Sequence, residues 1–249
     1  MRKLITILLL LPFFAFSQIN DNWDAVKVGT TDMSKIYVGS TLVWQKQVLP
    51  YYLDNGPMRY ISSSSTLELP MPNSVEDNQV AVAVITLIKS GTSTGEISTP
   101  TGWTRVAEYS VSTQYNALFA KSLDGGESAS YNFTQTFSNF TEMWGAIFTY
   151  ANATNFSGGG TSFYQNSTGF TSLPTIANER LGVNFCSIRI GETISISGDL
   201  STDAILGGSG YGMTISATSL IGDGSQKTVT YSWTTQVPYA STYVGLEIY

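Results

Sequence analysis

Histidine is absent from all 249 residues, cysteine occurs once, and charged side chains make up only 12%. The first absence removes Ser-His-Asp triads, Cys-His dyads, imidazole general bases and zinc sites with His ligands. Most common hydrolase mechanisms go with it. The lone Cys186 cannot close an intramolecular disulfide, and it lies in the apolar run Leu181-Gly-Val-Asn-Phe-Cys-Ser-Ile-Arg-Ile190. A buried, inert thiol is the reading this setting supports. Acidic residues outnumber basic ones by 18 to 12, giving a net charge of −6. With no basic cluster beyond Arg2-Lys3, nucleic acid is excluded as a partner, because such binding runs largely through Lys and Arg on phosphates. The phosphate-loop spelling and Ser-x-x-Lys are also missing, and Gly207-Gly-Ser-Gly-Tyr-Gly212 lacks the strand-turn-helix setting of a dinucleotide fingerprint.

Gly, Ser, Thr and Asn are abundant between short runs of Val, Ile, Thr, Tyr and Phe, which predicts an all-β chain. About ten strands are expected: 58–61, 66–69, 79–88, 104–110, 115–120, 128–133, 142–150, 180–190, 212–217, 228–234 and 242–248. Their spacing, with Gly, Pro or Asn in the gaps, predicts a β-sandwich or jelly roll. Val80-Ala-Val-Ala-Val-Ile-Thr-Leu87 and Trp144-Gly-Ala-Ile-Phe148 are apolar on both faces, so they are central strands. Val229, Tyr231 and Trp233 alternate with Thr and Ser, so that strand has one buried face. No helix longer than two turns is expected.

Residues 1–17 combine Arg2 and Lys3, an apolar stretch from Leu4 to Phe16 and a small-residue exit at Ala15-Phe16-Ser17, the pattern of a secretory signal peptide. The stretch is short for a membrane span; left uncleaved it becomes a short membrane anchor, and after cleavage no membrane association is expected. Its spelling Leu-Pro-Phe-Phe-Ala-Phe-Ser-Gln resembles signal peptides of Bacteroidota. Residues 18–46 form a small module in which Gly39-Ser40 separates two alternating runs, a hairpin signal. Ile36 and Val38 would share a face with Leu42 and Trp44, beside Tyr37. Such a hairpin cannot hold a core alone, so Ile36, Tyr37, Val38, Leu42 and Trp44 are candidate assembly residues. Residues 47–57, with Pro50 and Asp54-Asn-Gly-Pro57, read as a linker. Residues 58–249 form the sandwich domain.

Two segments carry a resemblance. Val28-Gly-Thr-Thr-Asp-Met-Ser-Lys-Ile-Tyr-Val-Gly-Ser-Thr-Leu-Val-Trp44 resembles a short motif of phage tail and virion structural proteins, with a generic hairpin as the alternative. The order Thr99-Pro-Thr-Gly-Trp103, Asn116-Ala-Leu-Phe-Ala-Lys121, Gly125-Gly-Glu-Ser128 and Trp144-Gly-Ala-Ile-Phe-Thr-Tyr150 resembles a β-sandwich module of phage tail-fibre and virion surface proteins. The resemblance implies a structural or adhesive role without catalysis. A signal peptide departs from that pattern and places the protein outside the cell as well as, alternatively, in a virion.

Without histidine, a glycosidase-type pair of carboxylates is the catalytic route left open. Glu108, Glu142, Glu192 and Glu247 lie on or near strands, and Asp199, Asp203 and Asp223 in loops. Glu142 stands out because it opens an apolar strand, where desolvation acts on a carboxyl. No pair can be chosen by spacing. No cofactor is indicated; calcium would need loops such as Asp21-Asn-Trp-Asp24, 197–203 or 222–224, which turn chemistry explains more simply. The stretch 151–172 reads as a long irregular loop mixing Asn and Gly with aromatics. Phe163, Tyr164 and Asn166, joined by Tyr211, make a candidate surface for a glycan or protein, against the alternative that the aromatics pin the loop. The expected function is non-enzymatic extracellular adhesion or assembly, with homo-oligomer or virion partners. A bacterial surface adhesin or carbohydrate-binding protein, and a carboxylate-dependent carbohydrate-active enzyme, are the alternatives.

Overall fold

The computed structural model describes residues 26–28, 31–33, 35–38, 40–45, 48–91, 93–111, 113–164, 167–189, 193–208, 212–237 and 239–249, and all its regular elements are strands. The chain divides into two compact units, Met1–Val48 and Leu49–Tyr249. Residues 1–17, where a signal peptide is expected, lie outside the described residues.

In the first unit, β1 (Val26–Val28) pairs with β2 (Thr31–Met33), and β3 (Lys35–Val38) with β4 (Thr41–Gln45). Val38 stands opposite Thr41, and Gly39 of the expected Gly39-Ser40 turn lies outside the described residues. Ile36 faces Trp44 in register, but a shift between Ile36 and Tyr37 sets Leu42 opposite Tyr37. The shift is a bulge, which breaks the period-2 count by one residue. The side chains of Tyr37, Val38, Leu42 and Trp44 lie outside the described ones.

The second unit holds β5 (Tyr51–Asn55), β6 (Arg59–Ile61), β7 (Thr66–Pro70), β8 (Asp77–Lys89), β9 (Thr104–Ser110), β10 (Gln114–Asp124), β11 (Ser130–Thr134) and β12 (Phe140–Ala151). It continues with β13 (Phe156–Tyr164), β14 (Ser167–Ser172), β15 (Leu181–Ile188), β16 (Ser195–Gly198), β17 (Ser201–Gly208), β18 (Met213–Ile221), β19 (Val229–Val237) and β20 (Ala240–Ile248). One large sheet runs β5-β12-β8-β10-β9, with β6 also on β12, and a second runs β13-β20-β15-β18-β17. Two small sheets, β7-β11 and β14-β19-β16, complete the unit.

These orders are the same plan used twice. Leaving aside β6 and β16, each half contributes seven strands; its large sheet follows the order first, seventh, third, fifth, fourth, and its small sheet pairs second with sixth. Even β16 has a counterpart, because the bridge between Ile97 and Gln135 lays the chain beside the end of β11 as β16 lies beside β19. The expected all-β sandwich is what Leu49–Tyr249 builds, with sixteen strands among the described residues arranged in two jelly-roll-like halves.

Side-chain alternation explains the stacking. On β8, Val80, Val82 and Val84 join Trp144, Ala146, Phe148 and Tyr150 of β12 in one core, where they meet Leu181, Val183, Phe185, Ile215, Tyr243 and Leu246 of the second large sheet. The intervening Ala81, Ala83, Ile85 and Leu87 point the other way, onto Leu67, Leu69 and Phe133 of the β7-β11 sheet. Cys186, Ile188 and Ala240 likewise leave the second large sheet on its far side, against Phe170, Val229, Tyr231 and Trp233. The order of layers is small sheet, large sheet, large sheet, small sheet. Strands covered on both faces must be apolar on both, as β8, β12 and β15 are. Cys186 is fully buried, and that burial pushes its thiol pKa well up, in keeping with an inert role.

Five strands escaped the sequence reading. Within 47–57, Tyr51–Asn55 is β5, paired with β12 rather than a free linker. Within 151–172, Phe156–Tyr164 and Ser167–Ser172 are β13 and β14, so that stretch is not an irregular loop. Its glycines serve strand geometry: Gly158 sits at φ 73°, and a Cβ there would stand 2.7 Å from the carbonyl oxygen of Gly245 on β20. The last two are β16 and β17.

Phe185 and Phe148 meet across the central core with ring centroids 5.1 Å apart. Replacing Phe185 with Ala is expected to cost about 3–5 kcal/mol of unfolding free energy, because the cavity opens between two sheets that cannot both collapse onto it. Urea denaturation followed by tryptophan fluorescence measures it; a loss below about 1 kcal/mol contradicts the central place given to this core.

Candidate functional site

An open pocket of about 560 Å³ is lined by Gly95, Glu96, Glu108, Tyr109, Ser110 and Tyr115. It lies at the free edge of the first large sheet, beside β9. In a regular strand Arg105 and Glu108, three residues apart, would point to opposite faces. A bulge prevents this: Phe119 pairs with Arg105 and Leu118 with Ala107, so Val106 is skipped and both side chains reach the same face. One guanidinium nitrogen of Arg105 then donates to Glu96 Oε2 at 3.0 Å and to Glu108 Oε2 at 2.9 Å, while the other donates to the carbonyl of Ile97. Tyr115 Oη donates to the same Glu108 oxygen at 2.6 Å. Burial opposes the charge on Arg105, but Glu96, Tyr115 and Glu108 outweigh it and raise its pKa. Burial and the bond to Glu108 push the Tyr115 phenol well up, so it stays a neutral donor.

The walls are anchored from behind. Glu96 N donates to Thr136 Oγ1 at 3.0 Å and Thr136 N to the Glu96 carbonyl at 2.9 Å, which pins this segment to the end of β11. Lys89, almost fully buried, donates to Ser110 Oγ at 2.8 Å and to the Ser93 carbonyl at 3.1 Å, and burial lowers its pKa. Because Ser110 accepts from Lys89, its own hydroxyl proton remains to donate outward. The result is an acceptor-rich surface with two fixed carboxylates, a serine hydroxyl and exposed backbone.

The other carboxylates singled out by sequence are brought into structural ties. Glu142 is buried and ion-paired with Arg189, joining the first half to the second. Glu247 accepts from the backbone N–H of Ala177 at 2.6 Å and from Arg180 at 2.8 Å. Asp199 accepts from Thr228 N at 2.7 Å. Asp223 caps a turn through Ser225 and Lys227, which together hold its carboxyl well below the usual range. Asp203 is largely buried, and burial raises its pKa to about 6 against a partly offsetting hydrogen bond from Ser219. Glu192 lies outside the described residues. Structure therefore pairs Glu108 with Glu96, which spacing did not single out, through a bulge that no local spelling announces.

Phe163 and Tyr164 fall on β13 opposite Ser241 and Ala240, with side chains outside the described ones; Asn166 and Tyr211 lie outside the described residues altogether. Among the described residues no group of three or more His, Cys, Asp or Glu side chains gathers to hold a metal ion. Asp21 and Asp24 are outside them, 197–203 spans β16 and β17, and 222–224 is the Asp223 turn. No family model, curated protein or solved structure matches this chain.

A Cβ at Gly95 would lie 2.7 Å from the backbone nitrogen of Phe137 and 2.8 Å from its Cα. Gly95→Ala is expected to force the pocket wall off β11 and cost about 1–3 kcal/mol. Thermal melts give the stability, and amide chemical shifts at Glu96 and Thr136 report the displacement; unchanged shifts contradict this account of the wall.

Proposed function

We propose that this chain is a non-catalytic extracellular adhesion module, which attaches to or decorates surfaces by binding hydroxyl-rich glycans at the Glu96–Glu108–Ser110 pocket. The observation that carries the reading is the commitment of the carboxylates. Each described candidate named from the sequence, apart from Asp203 in its buried seam, spends at least one oxygen on an arginine, a lysine or a backbone N–H that holds the fold. What remains at the surface is a rigid set of acceptors. Glu96 and Glu108 both bind Arg105 through Oε2 and stay half-exposed, and vicinal hydroxyls donate to such a pair in the way arginine does. The absence of histidine and the phage-fibre-like order of motifs favour the same reading, and the leader-like first 17 residues favour an extracellular or virion setting.

One observation keeps a carbohydrate-active enzyme as the second reading: Glu96 and Glu108 converge on a single guanidinium at a pocket. Against it, a glycosidase acid has to hold a proton at working pH, which takes desolvation. The two side chains are 58% and 51% exposed.

Binding of the purified chain to an array of neutral glycans, followed by calorimetry on any hit, tests the proposal. Glu96→Gln is expected to weaken binding about tenfold, the size of one charge-assisted hydrogen bond. No hit on the array, or affinity unchanged in Glu96→Gln, removes the site. Release of reducing ends from a bound glycan, lost in Glu108→Gln, would replace adhesion with the enzyme reading.

A further inference from the structure

The repeated plan allows the two halves to be compared position by position, and the comparison isolates one side chain. β9 and β17 occupy the same place in their halves, and both are bulged: β9 skips Val106 against β10, and β17 skips Asp203 against β18. In the first half the bulge residue is apolar, and Val106 packs against the central core with Ala107 beside it. A Cβ built at Gly159 of β13 would lie 3.8 Å from Leu118 Cδ2 and 3.9 Å from Ala107 Cβ, so apolar side chains line that side of the stack. In the second half the same bulge carries a carboxyl. The fold itself accepts valine there, so the cost of burying Asp203 is not a requirement of the architecture.

The surroundings of Asp203 are specific. Ser219 of β18 donates to its Oδ1 at 2.7 Å, and Ser219 follows Ile215 and Ala217 in alternation toward the core between the large sheets. From β5, Tyr52 faces this region; from β12 comes Tyr150, and from β19 the hydroxyl of Tyr231 lies within electrostatic reach, while the β5 bulge sets Asp54 opposite Thr149, on the other face. Tyr52 and Tyr150 meet edge to face with centroids 5.9 Å apart. Asp203 Oδ2 and Tyr150 Oη are both buried without a hydrogen-bond partner, and no ion pair to Asp203 occurs among the described residues. A lone negative charge here has no ion-pair partner among the described residues to neutralise it. A protonated carboxyl removes the charge and turns the unpartnered Oδ2 into a donor, in a seam where Tyr150 Oη is an unused acceptor.

We infer that this seam, where β5 and β12 of the first half meet β17 of the second, is a pH-responsive latch that holds with Asp203 protonated and loosens when it ionises. The sign follows from the proton's preference. Burial raises the folded-state pKa from 3.8 to about 6, so the closed seam binds the proton more tightly than the open one. Protection is therefore complete below about pH 4 and declines as pH rises through about 6. A shift of this size allows up to about a hundredfold change in the opening equilibrium. Tyr52, Tyr150 and Tyr231 keep their protons across this window, since burial raises all three phenols.

Amide hydrogen exchange of the full chain, corrected for intrinsic rates, between pH 5 and pH 8 tests the latch. Opening of β5 and β17 peptides is expected to increase at least tenfold over that range in the wild type, while peptides from β9 and β13 stay level. Asp203→Asn and Asp203→Val are expected to abolish the difference. The valine repeats what Val106 already does, and the asparagine keeps the shape should valine fail to fold. An independent readout is the carboxyl carbon-13 titration of Asp203 in the wild type, with a midpoint near 6 shared by the Tyr52 and Tyr150 rings. Wild-type exchange level with pH, an equal dependence in the variants, or a carboxyl midpoint near 4 overturns the inference.

Discussion

The structure rests on one contact: the face-to-face packing of the two large sheets. Neither half could use a sheet that is apolar on both faces as an outer surface, so each half's inner sheet has its second face covered only because the other half exists. The core between them is apolar along most of its length, from Val80, Val82 and Phe148 across to Val183, Phe185 and Leu246. At one end it turns polar. Thr86 Oγ1 donates to Ser187 Oγ at 3.0 Å, Trp144 Nε1 donates to the same oxygen at 2.9 Å, and Tyr243 Oη donates to the Ile85 carbonyl at 2.8 Å. Apolar packing drives the halves together, at roughly 1.5–3 kcal/mol for each large side chain fully buried, but it does not by itself choose a register. The hydroxyl and indole bonds do, because a slip by one residue would leave several buried polar groups without partners. The Glu142–Arg189 pair lies on the same inter-half boundary and adds the same kind of constraint.

What could be read from the sequence follows from this arrangement. Strands buried on both faces, such as β8, β12 and β15, write continuous apolar runs, and the one-sided β19 writes a clean alternation. Every strand that escaped notice, namely β5, β13, β14, β16 and β17, stands at the edge of its sheet. An edge strand pairs on one side only and here covers little of the core, so Ser, Thr, Gly and Asn serve it well and the spelling looks like loop. Missing the edges also hid the duplication, since the first and fourth strands of each half's large sheet are edges. The bulges were invisible for a related reason: an extra residue on an edge strand disturbs no neighbour beyond its single partner, and so leaves no periodic trace.

The same bulges decide where chemistry sits. At β9 the skipped Val106 turns Arg105 and Glu108 to one face and thereby assembles a cation with two carboxylates at a pocket. Glu108 was legible as a strand carboxylate, whereas its partners Glu96 and Tyr115 became visible only when the chain before Ile97 was seen to lie against β11. At β17 the skipped residue is itself the carboxylate. One device in the backbone thus has two outputs: in one half it aims the neighbours outward, and in the other it turns an acid inward.

A fold used twice provides its own reference for what the architecture needs. Positions filled alike in both halves, such as the inward valines of β8 and the Leu181, Val183 and Phe185 series of β15, answer to packing alone. Positions filled differently are free of that demand, and their residues need another explanation. Val106 against Asp203 is the sharpest such contrast, because it sets an apolar contact that stabilises at every pH against a carboxyl whose burial is favourable only when protonated. Burying that acid lowers the stability of the β5–β17 side relative to the β9–β13 side once the pH exceeds about 6. The two sides of one stack therefore differ in strength by an amount set by proton concentration, although their backbones follow the same plan.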